Sequence, residues 1–332
     1  MKALIKKLAE SFGPSGSEGQ VRELVRDEIR GLPDYITVDP LGNLIAVVKK
    51  KAKSGKKVML SAHMDEIGFV VAHIDARGFA RVQPFGGINP LSCVGERVRF
   101  ADGRQGVLGL DARRDDANKI PSLSEMFIDV GATSRADCPL RVGDAAGFWR
   151  PLENLGDRVV AKSLDDRIGV AILIETLRAL KRTPHEVAFV FTVQEEVGLR
   201  GAGVAAFGLE AELGIAVDVT RTGDTPNGVR MEVNLGGGPA IKVRDSQMVA
   251  DPRIKDLLVR RAGEAGLAVQ LEILEAGSTD ASAMQISRGG VPAGCISVPA
   301  RYVHTPSEMV DLRDVQGCVR LLLEVLQKPI EL

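Results

Sequence analysis

The stretch EVAFVFTVQEEVGL, from Glu186 to Leu199, decides the fold. Its first half is an apolar run of β-branched and aromatic residues with the length of a buried strand. The run ends abruptly in Gln194, Glu195 and Glu196, and open α/β sheets bind their ligands at the carboxyl ends of strands. Because consecutive strand residues point to opposite faces, we expect one glutamate to be a metal ligand and the other a general base. A solvated strand end would carry the same residues, so the interpretation depends on the rest of the chain.

The composition is that of an ordinary globular chain. Its 332 residues are enough for two domains, with 45% hydrophobic and 26% charged residues. A formal net charge of −1 and an aromatic content of 4% argue against nucleic acid as a partner. No apolar run approaches the ~20 residues that span a bilayer, so no membrane partner is expected. The cysteines are scattered without a CxxC pair and the N-terminus lacks a signal-peptide pattern, so a cytoplasmic location is expected.

Helix and strand patterns alternate at both ends of the chain. Two helices are predicted within Lys2 to Leu32, separated by a Gly-Pro-Ser-Gly break at residues 13–16. From Ala161 onward, strands alternate with amphipathic helices up to a closing helix at Leu312 to Gln327. Such alternation is typical of an α/β fold with a mostly parallel sheet covered by helices on both faces. The basic run from Lys49 to Lys57 is predicted to be a solvated hairpin loop.

The middle of the chain has a different character. From about Ile67 to Asn154, short strand patterns are separated by glycine turns, and no convincing long helix is present. We therefore expect a small all-β domain, residues 67–154, inserted into an α/β domain formed by residues 1–66 and 155–332.

Histidines and acids stand just after the predicted strands or at the starts of helices. They are His63, Asp65, Asp165, Asp166, Glu195, Glu196, Asp218 and His304. One parallel sheet would bring these positions to one edge, although they are far apart in the chain. Imidazole and carboxylate bind zinc, cobalt or manganese, and a carboxylate can bridge two ions ~3.5–4 Å apart. Asp65 lies two residues after His63 and can accept the second N–H of its imidazole.

Such a set suits a two-metal site. Two histidines and three carboxylates leave positions open for water and substrate, and a further carboxylate can take a proton from that water. Each residue alone also has a simpler interpretation. His63 could be a buried polar residue, and Asp165 could be an acid favoured by the helix dipole in a first turn. His73 and His185 are expected to be structural or surface residues.

Six separated motifs resemble one known family, in the same order and over nearly the whole chain. They are HMDEIGF from His63, SLDDRIG from Ser163, EEVGLRGA from Glu195, DVT from Asp218 followed by GDTP, GSTDA from Gly277, and RYVHTPSE from Arg301 followed by VDLRDV. In these motifs the chain is similar to the metallo-aminopeptidases of the TET and glutamyl-aminopeptidase type. Some members of that family carry an older label as cellulase or endoglucanase.

The resemblance implies a zinc-peptidase-like α/β sandwich with an inserted PDZ-like β domain that drives dimerisation. Dimers of the family commonly assemble into a hollow tetrahedral dodecamer, and its substrates are peptides with a free N-terminus. Two metal ions per subunit, zinc or cobalt, are implied, with a metal-bridging water as the nucleophile. The implied roles are His63 and Asp218 on one ion, Glu196 and His304 on the other, Asp165 as the bridge, Glu195 as general base, and Asp65 as the residue that orients His63. The implied substrate contacts are Arg200, Gly277, Thr279 and Asp280.

Two other classes of function stay open. A glycoside hydrolase is suggested by the older label and the paired acids, but its two carboxylates must flank a bond at about 5–5.5 or 6.5–9.5 Å from each other. Adjacent strand residues that face opposite ways do this poorly. A binding or assembly protein with a structural site is the other alternative, and the intact set of candidate ligands and base argues against it. The position of the insertion, between His63 and Asp165, favours an aminopeptidase over related carboxypeptidases, which insert their extra domain later.

Overall fold

A computed structural model describes residues 1–49, 55–112 and 120–332. Residues 50–54, most of the predicted basic loop, lie outside this part of the chain. The chain starts with α1 (Lys2–Ala9), α2 (Gly19–Glu28), β1 (Tyr35–Val38), β2 (Leu44–Val48) and β3 (Lys57–His63). It continues through β4 (Gly68–Ile74), β5 (Ala80–Phe85), β6 (Arg97–Phe100), β7 (Gln105–Leu110), β8 (Met126–Asp129) and β9 (Ala145–Phe148). Short 3-10 turns lie at Pro90–Ser92 and Leu123–Glu125.

The remaining elements return to alternating strands and helices. They are β10 (Glu153–Leu155), β11 (Arg158–Ala161), α3 (Leu164–Ala179), β12 (Glu186–Thr192), α4 (Arg200–Leu209), β13 (Leu213–Thr220), β14 (Ala240–Arg244), α5 (Pro252–Glu264), β15 (Gln270–Ile273), α6 (Asp280–Gln285), β16 (Ala293–Arg301), β17 (Glu308–Asp311) and α7 (Leu312–Leu326). The two predicted N-terminal helices and the closing helix are therefore confirmed.

One large sheet forms the centre of the molecule. Its strand order is β1-β2-β12-β3-β13-β16-β17-β11-β10, and β14 pairs with β16 and with β15. The four central strands β12, β3, β13 and β16 are parallel to one another, whereas β2 pairs antiparallel with β12 at one side and β17 pairs antiparallel with β16 at the other. The expectation of a mostly parallel centre in an α/β sheet is confirmed.

Helices cover both faces of this sheet because its central strands are apolar on both. In β12, Val187, Phe189 and Phe191 face a core built with residues of α1, α2, α3, α5 and α7. The alternate residues Ala188 and Val190 face a smaller core built with residues of α4 and α6. The period of two along a fully buried strand thus explains why the run after Glu186 is hydrophobic without interruption.

Strands β4 to β9 form a separate unit. They close into a barrel in the order β4-β5-β8-β7-β6-β9, and their inward residues make a core of their own around Phe69, Ile128 and Phe148. The expected small all-β unit between β3 and α3 is therefore present. All four cysteines are free thiols. In residues 1–49, 55–112 and 120–332, no helix combines the length and the apolar character that crossing a bilayer requires.

Candidate active site

The parallel strands bring distant residues to one edge of the large sheet. β3 ends in His63, β13 carries Asp218 near its end, and β12 and β16 lead into the loops with Glu195 and His304. By strand alternation, His63 faces the same side as Met59, which packs in the core beneath α4 and α6. The sheet therefore places both predicted histidines and their partner acids around one volume.

Asp165 lies between the two histidines. Its Oδ1 is 3.0 Å from Nε2 of His63, and its Oδ2 is 3.3 Å from Nε2 of His304. Nε2 of His304 is also 3.3 Å from Oε2 of Glu196. Nε2 of His63 lies 3.9 Å from Oδ1 of Asp218 and 3.9 Å from Oε2 of Glu195. Each imidazole thus shares the Asp165 carboxylate and has a further carboxylate on its own side.

These atoms suit the ligand sphere of a divalent metal. Tetrahedral zinc ligands at ~2.0–2.1 Å from the ion lie about 3.3–3.4 Å from one another, and the separations around His304 have that length. The ligand atoms of His63, Asp165 and Glu196 all lie within 4.8 Å of one another. Oε1 of Glu196 is buried and has no hydrogen-bond partner among the described residues. The set is therefore one that could hold a cation on either side of Asp165.

Asp166 is a further acid of this cluster. Its carboxyl group could join a ligand set with His63 and Asp218. Its oxygens, however, accept the N–H of His63 at 3.2 Å and the N–H of Gly169 at 3.0 Å. We therefore regard Asp166 as a support for the end of β3 and the start of α3.

The start of α3 is irregular at the acidic pair. Asp165 and Asp166 have non-helical backbone angles, and the peptide bond between them is cis. Asp165 is therefore not an ordinary first-turn acid of a helix. Its N–H donates instead to Oε2 of Glu308 at 2.9 Å, and its carboxyl group points to the histidines.

Glu195 and Glu196 lie in a turn beyond the strand. β12 ends at Thr192, and Gln194 has a φ of +57°, so the chain has left the extended conformation before the two acids. The expectation that strand alternation would separate them is therefore wrong. The turn itself separates them, directing Glu196 to His304 and Glu195 to His63.

Asp65 connects the end of β3 to that turn. Its carboxylate accepts the N–H of Glu195 at 3.0 Å, the N–H of Glu196 at 3.2 Å and the hydroxyl of Ser15 at 2.6 Å. Its backbone oxygen and Oδ1 lie 3.2 and 3.4 Å from Nδ1 of His63. Asp65 thus fixes the backbone of both glutamates as well as facing the outer nitrogen of His63. Ser15 carries no sequence signal beyond its place in the Gly-Pro-Ser-Gly break.

Glu308 holds the other side of the centre. Its Oε1 accepts the N–H of His304 at 2.9 Å, while Oε2 accepts that of Asp165. His304 has a φ of +64°, a conformation that L-residues rarely adopt. Glu308 therefore restrains a strained residue. It ends the same RYVHTPSE motif that contains His304.

The cluster is strongly biased towards cations. Burial raises the pKa of Glu195 well above its ordinary value, and the neighbouring Asp218 and Glu196 raise it further, although His63 opposes them. Burial by itself would lower the pKa of His304, but Asp165 and Glu196 raise it to about 12. Burial acts to raise the pKa of Asp165, but the two imidazoles outweigh it and hold that pKa well below its usual range. The pKa of His304 is thus raised by the negative charge of the carboxylates around it, and the same charge favours a bound cation.

A cavity of about 290 Å³ opens over the cluster. It is lined by His63, Asp165, Glu195, Glu196, Asp218 and His304, together with residues of the surrounding loops. Of the four expected substrate contacts, Gly277 lines the cavity. Thr279 caps α6, and Asp280 is buried and accepts from Thr192 at 2.7 Å. Arg200 is exposed and donates to Gln194 at 3.1 Å, outside the residues that line this cavity.

The two remaining histidines lie away from the cavity. His185 accepts from the N–H of Lys56 at 3.1 Å through Nδ1, and its Nε2 lies 2.9 Å from the carbonyl oxygen of Lys328. His73 is exposed on β4. Their positions agree with a structural and a surface role.

Fold and site together define a class: an α/β protein whose sheet edge carries a histidine–carboxylate centre suited to divalent metals. The chain belongs to the M42 glutamyl aminopeptidase family, whose model matches residues 42–321. It is therefore an aminopeptidase, a hydrolase that acts on peptide bonds, and the family expected from the six motifs is confirmed.

Individual relatives match this chain over nearly its full length. The chain is 46% identical over 325 residues, 97% of each chain, to an Acetivibrio thermocellus protein named provisionally as an aminopeptidase. The solved aminopeptidase APDkam598 of the archaeon Desulfurococcus kamchatkensis is 40% identical and superposes with a TM-score of 0.93 over 98% of this chain and 94% of its own. The TET1 peptidase of Pyrococcus horikoshii, which can assemble into a tetrahedron or a large octahedral shell, is 30% identical with a TM-score of 0.87 over 98% and 99%.

Proposed function

We propose that this aminopeptidase works with two divalent metal ions, zinc or cobalt. His63 and Asp218 would hold one ion, Glu196 and His304 the other, and Asp165 would lie between them. The observation that carries the proposal is the Asp165 carboxylate, whose two oxygens face the two Nε2 atoms at 3.0 and 3.3 Å. Ions bound in this way acidify a water molecule and polarise a carbonyl oxygen.

Glu195 is the general base of the proposed reaction. Its carboxylate lines the cavity beside His63 and takes a proton from the attacking water, then returns it to the leaving amine. Burial and the neighbouring acids raise its pKa, and a base is most effective when its pKa approaches the working pH. Asp65 holds the peptide N–H of Glu195 and faces Nδ1 of His63, so it orients both residues.

The carboxylates also select the free N-terminus of the peptide. Glu195, Glu196 and Asp218 converge on the cavity, and an ammonium group placed there gains charge-assisted hydrogen bonds. An acetylated N-terminus has no such charge. We therefore expect hydrolysis only of peptides whose first amine is free.

The test compares peptides with free and acetylated N-termini, after chelation and after zinc or cobalt is restored. Metal-dependent cleavage of the free-amine peptides alone supports the proposal. Equal cleavage of both forms would show an endopeptidase or a contaminant, and no cleavage with any metal would favour a binding protein.

Glu195→Gln isolates the general base. It should retain metal and lose about 10²–10⁴-fold in kcat, whereas Glu232→Gln, at an exposed position, should behave as wild type. Near wild-type turnover of the Glu195 variant would remove Glu195 from the role of base.

Domain limits and assembly are also proposals. We propose an α/β domain of residues 1–66 with 155–332 and an inserted β domain of residues 67–154. The pairing of β10 with β11 in the large sheet favours one change, which assigns residues 153–154 to the α/β domain. We propose dimers formed through the barrel that assemble into a tetrahedral dodecamer, supported by the shells of the Pyrococcus horikoshii relative. Light scattering tests this, and a monomeric mass would exclude it without affecting the chemistry.

A further inference from the structure

A loop of the barrel region contacts the histidine–carboxylate cluster of the candidate active site. Gly86 and Gly87 directly follow β5 of the barrel, whereas His304 follows β16 of the large sheet. The carbonyl oxygen of Gly87 lies 2.8 Å from Nδ1 of His304, across a chain separation of 217 positions. Gly87 also lines the cavity. The barrel therefore supplies a hydrogen-bond partner to a candidate metal ligand.

This contact determines which ring nitrogen of His304 is available. A carbonyl oxygen can only accept, so Nδ1 must carry the proton of this hydrogen bond. Nε2 is then the nitrogen whose lone pair becomes available when a metal ion replaces its proton, and it faces Asp165 and Glu196 at 3.3 Å each. A hydrogen bond on the outer nitrogen of a histidine fixes the orientation of the ring and raises the basicity of the inner nitrogen.

Gly86 brings the same loop against Glu196. Its φ is +74°, and a Cβ at this position would lie 2.8 Å from Oε2 of Glu196 and 2.7 Å from Cγ2 of Ile67. Real Cβ atoms do not approach so closely, so a side chain at position 86 would displace one of these groups. Oε2 is the atom of Glu196 that faces His304. The absence of a side chain at Gly86 thus preserves the geometry of that pair.

We propose that the Gly86–Gly87 loop is a positioning element for His304 and Glu196. The inserted barrel then helps to fix the geometry of one of the two proposed metal sites, the one with His304 and Glu196. The other proposed site, with His63 and Asp218, has no such contact assigned to it. The inference rests on the proposed function, because it takes His304 and Glu196 to be ligands of one ion. It adds to that function a dependence of one metal site on the docking of the barrel.

The experiment compares Gly86→Ala with the matched control Gly103→Ala. Both glycines lie in the barrel region with positive φ, +74° and +87°, but a Cβ at Gly103 would meet nothing within 4 Å. Zinc binding is measured by calorimetry on the full chain. We expect two zinc ions in the wild type and in Gly103→Ala, and about 10–100-fold weaker binding of one of them in Gly86→Ala. Binding of both ions by Gly86→Ala with wild-type affinity would overturn the proposal.

A second measurement does not depend on the number of ions bound. The protein has four histidines, so ¹⁵N spectra of the histidine-labelled, zinc-treated wild type can be assigned with a His304→Gln variant. A protonated Nδ1 on His304 supports the positioning contact, and an unprotonated Nδ1 overturns it, even if Gly86→Ala does not fold. If the wild type binds fewer than two zinc ions, the two-metal function fails and the spectrum alone decides the contact.

Discussion

Replacing Glu308 by glutamine tests whether one buried carboxylate holds both sides of the centre. Its two oxygens accept the N–H groups of Asp165 and His304, each at 2.9 Å. An amide nitrogen cannot accept, so Glu308→Gln leaves one of these buried donors without a partner. That loss costs about 1–3 kcal/mol, and Glu308→Ala, which removes both acceptors, costs about 2–6 kcal/mol. Because His304 has a positive φ, we also expect it to relax when its restraint is lost.

Urea unfolding with zinc present measures the stability change, and zinc titration measures the effect on the site. Glu153→Gln is the control, since Glu153 is exposed on β10 and should change stability by less than about 0.5 kcal/mol. We expect the Glu308 variants to unfold at lower urea and to bind zinc more weakly, with alanine worse than glutamine. A Glu308→Gln protein with the wild-type midpoint and zinc affinity would refute the reasoning.

Three further outcomes are expected. Burial, followed by the charge of Asp165, raises the pKa of Glu308 from 4.5 to about 8, so the folded metal-free protein keeps a proton that the unfolded chain releases. Its stability should therefore fall as pH rises from about 4.5 to about 8, by at most about 5 kcal/mol. Thermal melts across this range check this, and a metal-free melting temperature that rises with pH would contradict it. Ser15→Ala removes the 2.6 Å hydrogen bond to Asp65 and should cost about 1.5–3 kcal/mol in urea unfolding. The control is Ser17→Ala, at a half-buried position two residues further on, and an equal loss of stability in both variants would count against the prediction. Phe189→Ala, in the fully buried strand β12, should cost about 3–5 kcal/mol by the same assay, and a loss below 1 kcal/mol would show that the core refills the space.

Local patterns were enough to predict the architecture. Secondary structure depends largely on residues that are neighbours in the chain. The apolar run after Glu186, the glycine turns of the barrel and the periodic apolar residues of the helices are patterns of this kind. A sheet with parallel central strands must bring strand ends to one edge. The sequence alone therefore predicts that His63, Asp218 and the pair Glu195 and Glu196 lie close together.

The roles of individual residues needed more than local pattern. Strand alternation was the wrong reason to separate Glu195 from Glu196, because the chain turns at Gln194 before reaching them. Arg200 lies in a motif beside the site, but its side chain points to Gln194 outside the residues that line the cavity. Backbone angles at a turn depend on hydrogen bonds such as those from Glu195 and Glu196 to Asp65, and Asp65 lies beyond the end of β3, in a distant part of the chain.

The sequence by itself determined the fold class, the family and the side chains able to bind metal, since hydrophobic period and residue chemistry are properties of short segments. The tertiary structure decided which groups hold those side chains in place. Ser15 reaches Asp65 from the N-terminal break, Glu308 joins His304 to Asp165, and Gly87 reaches His304 from the barrel. These contacts depend on the path of the chain through space, because a hydrogen bond needs its two atoms within about 3 Å, a condition that no pattern along the chain expresses.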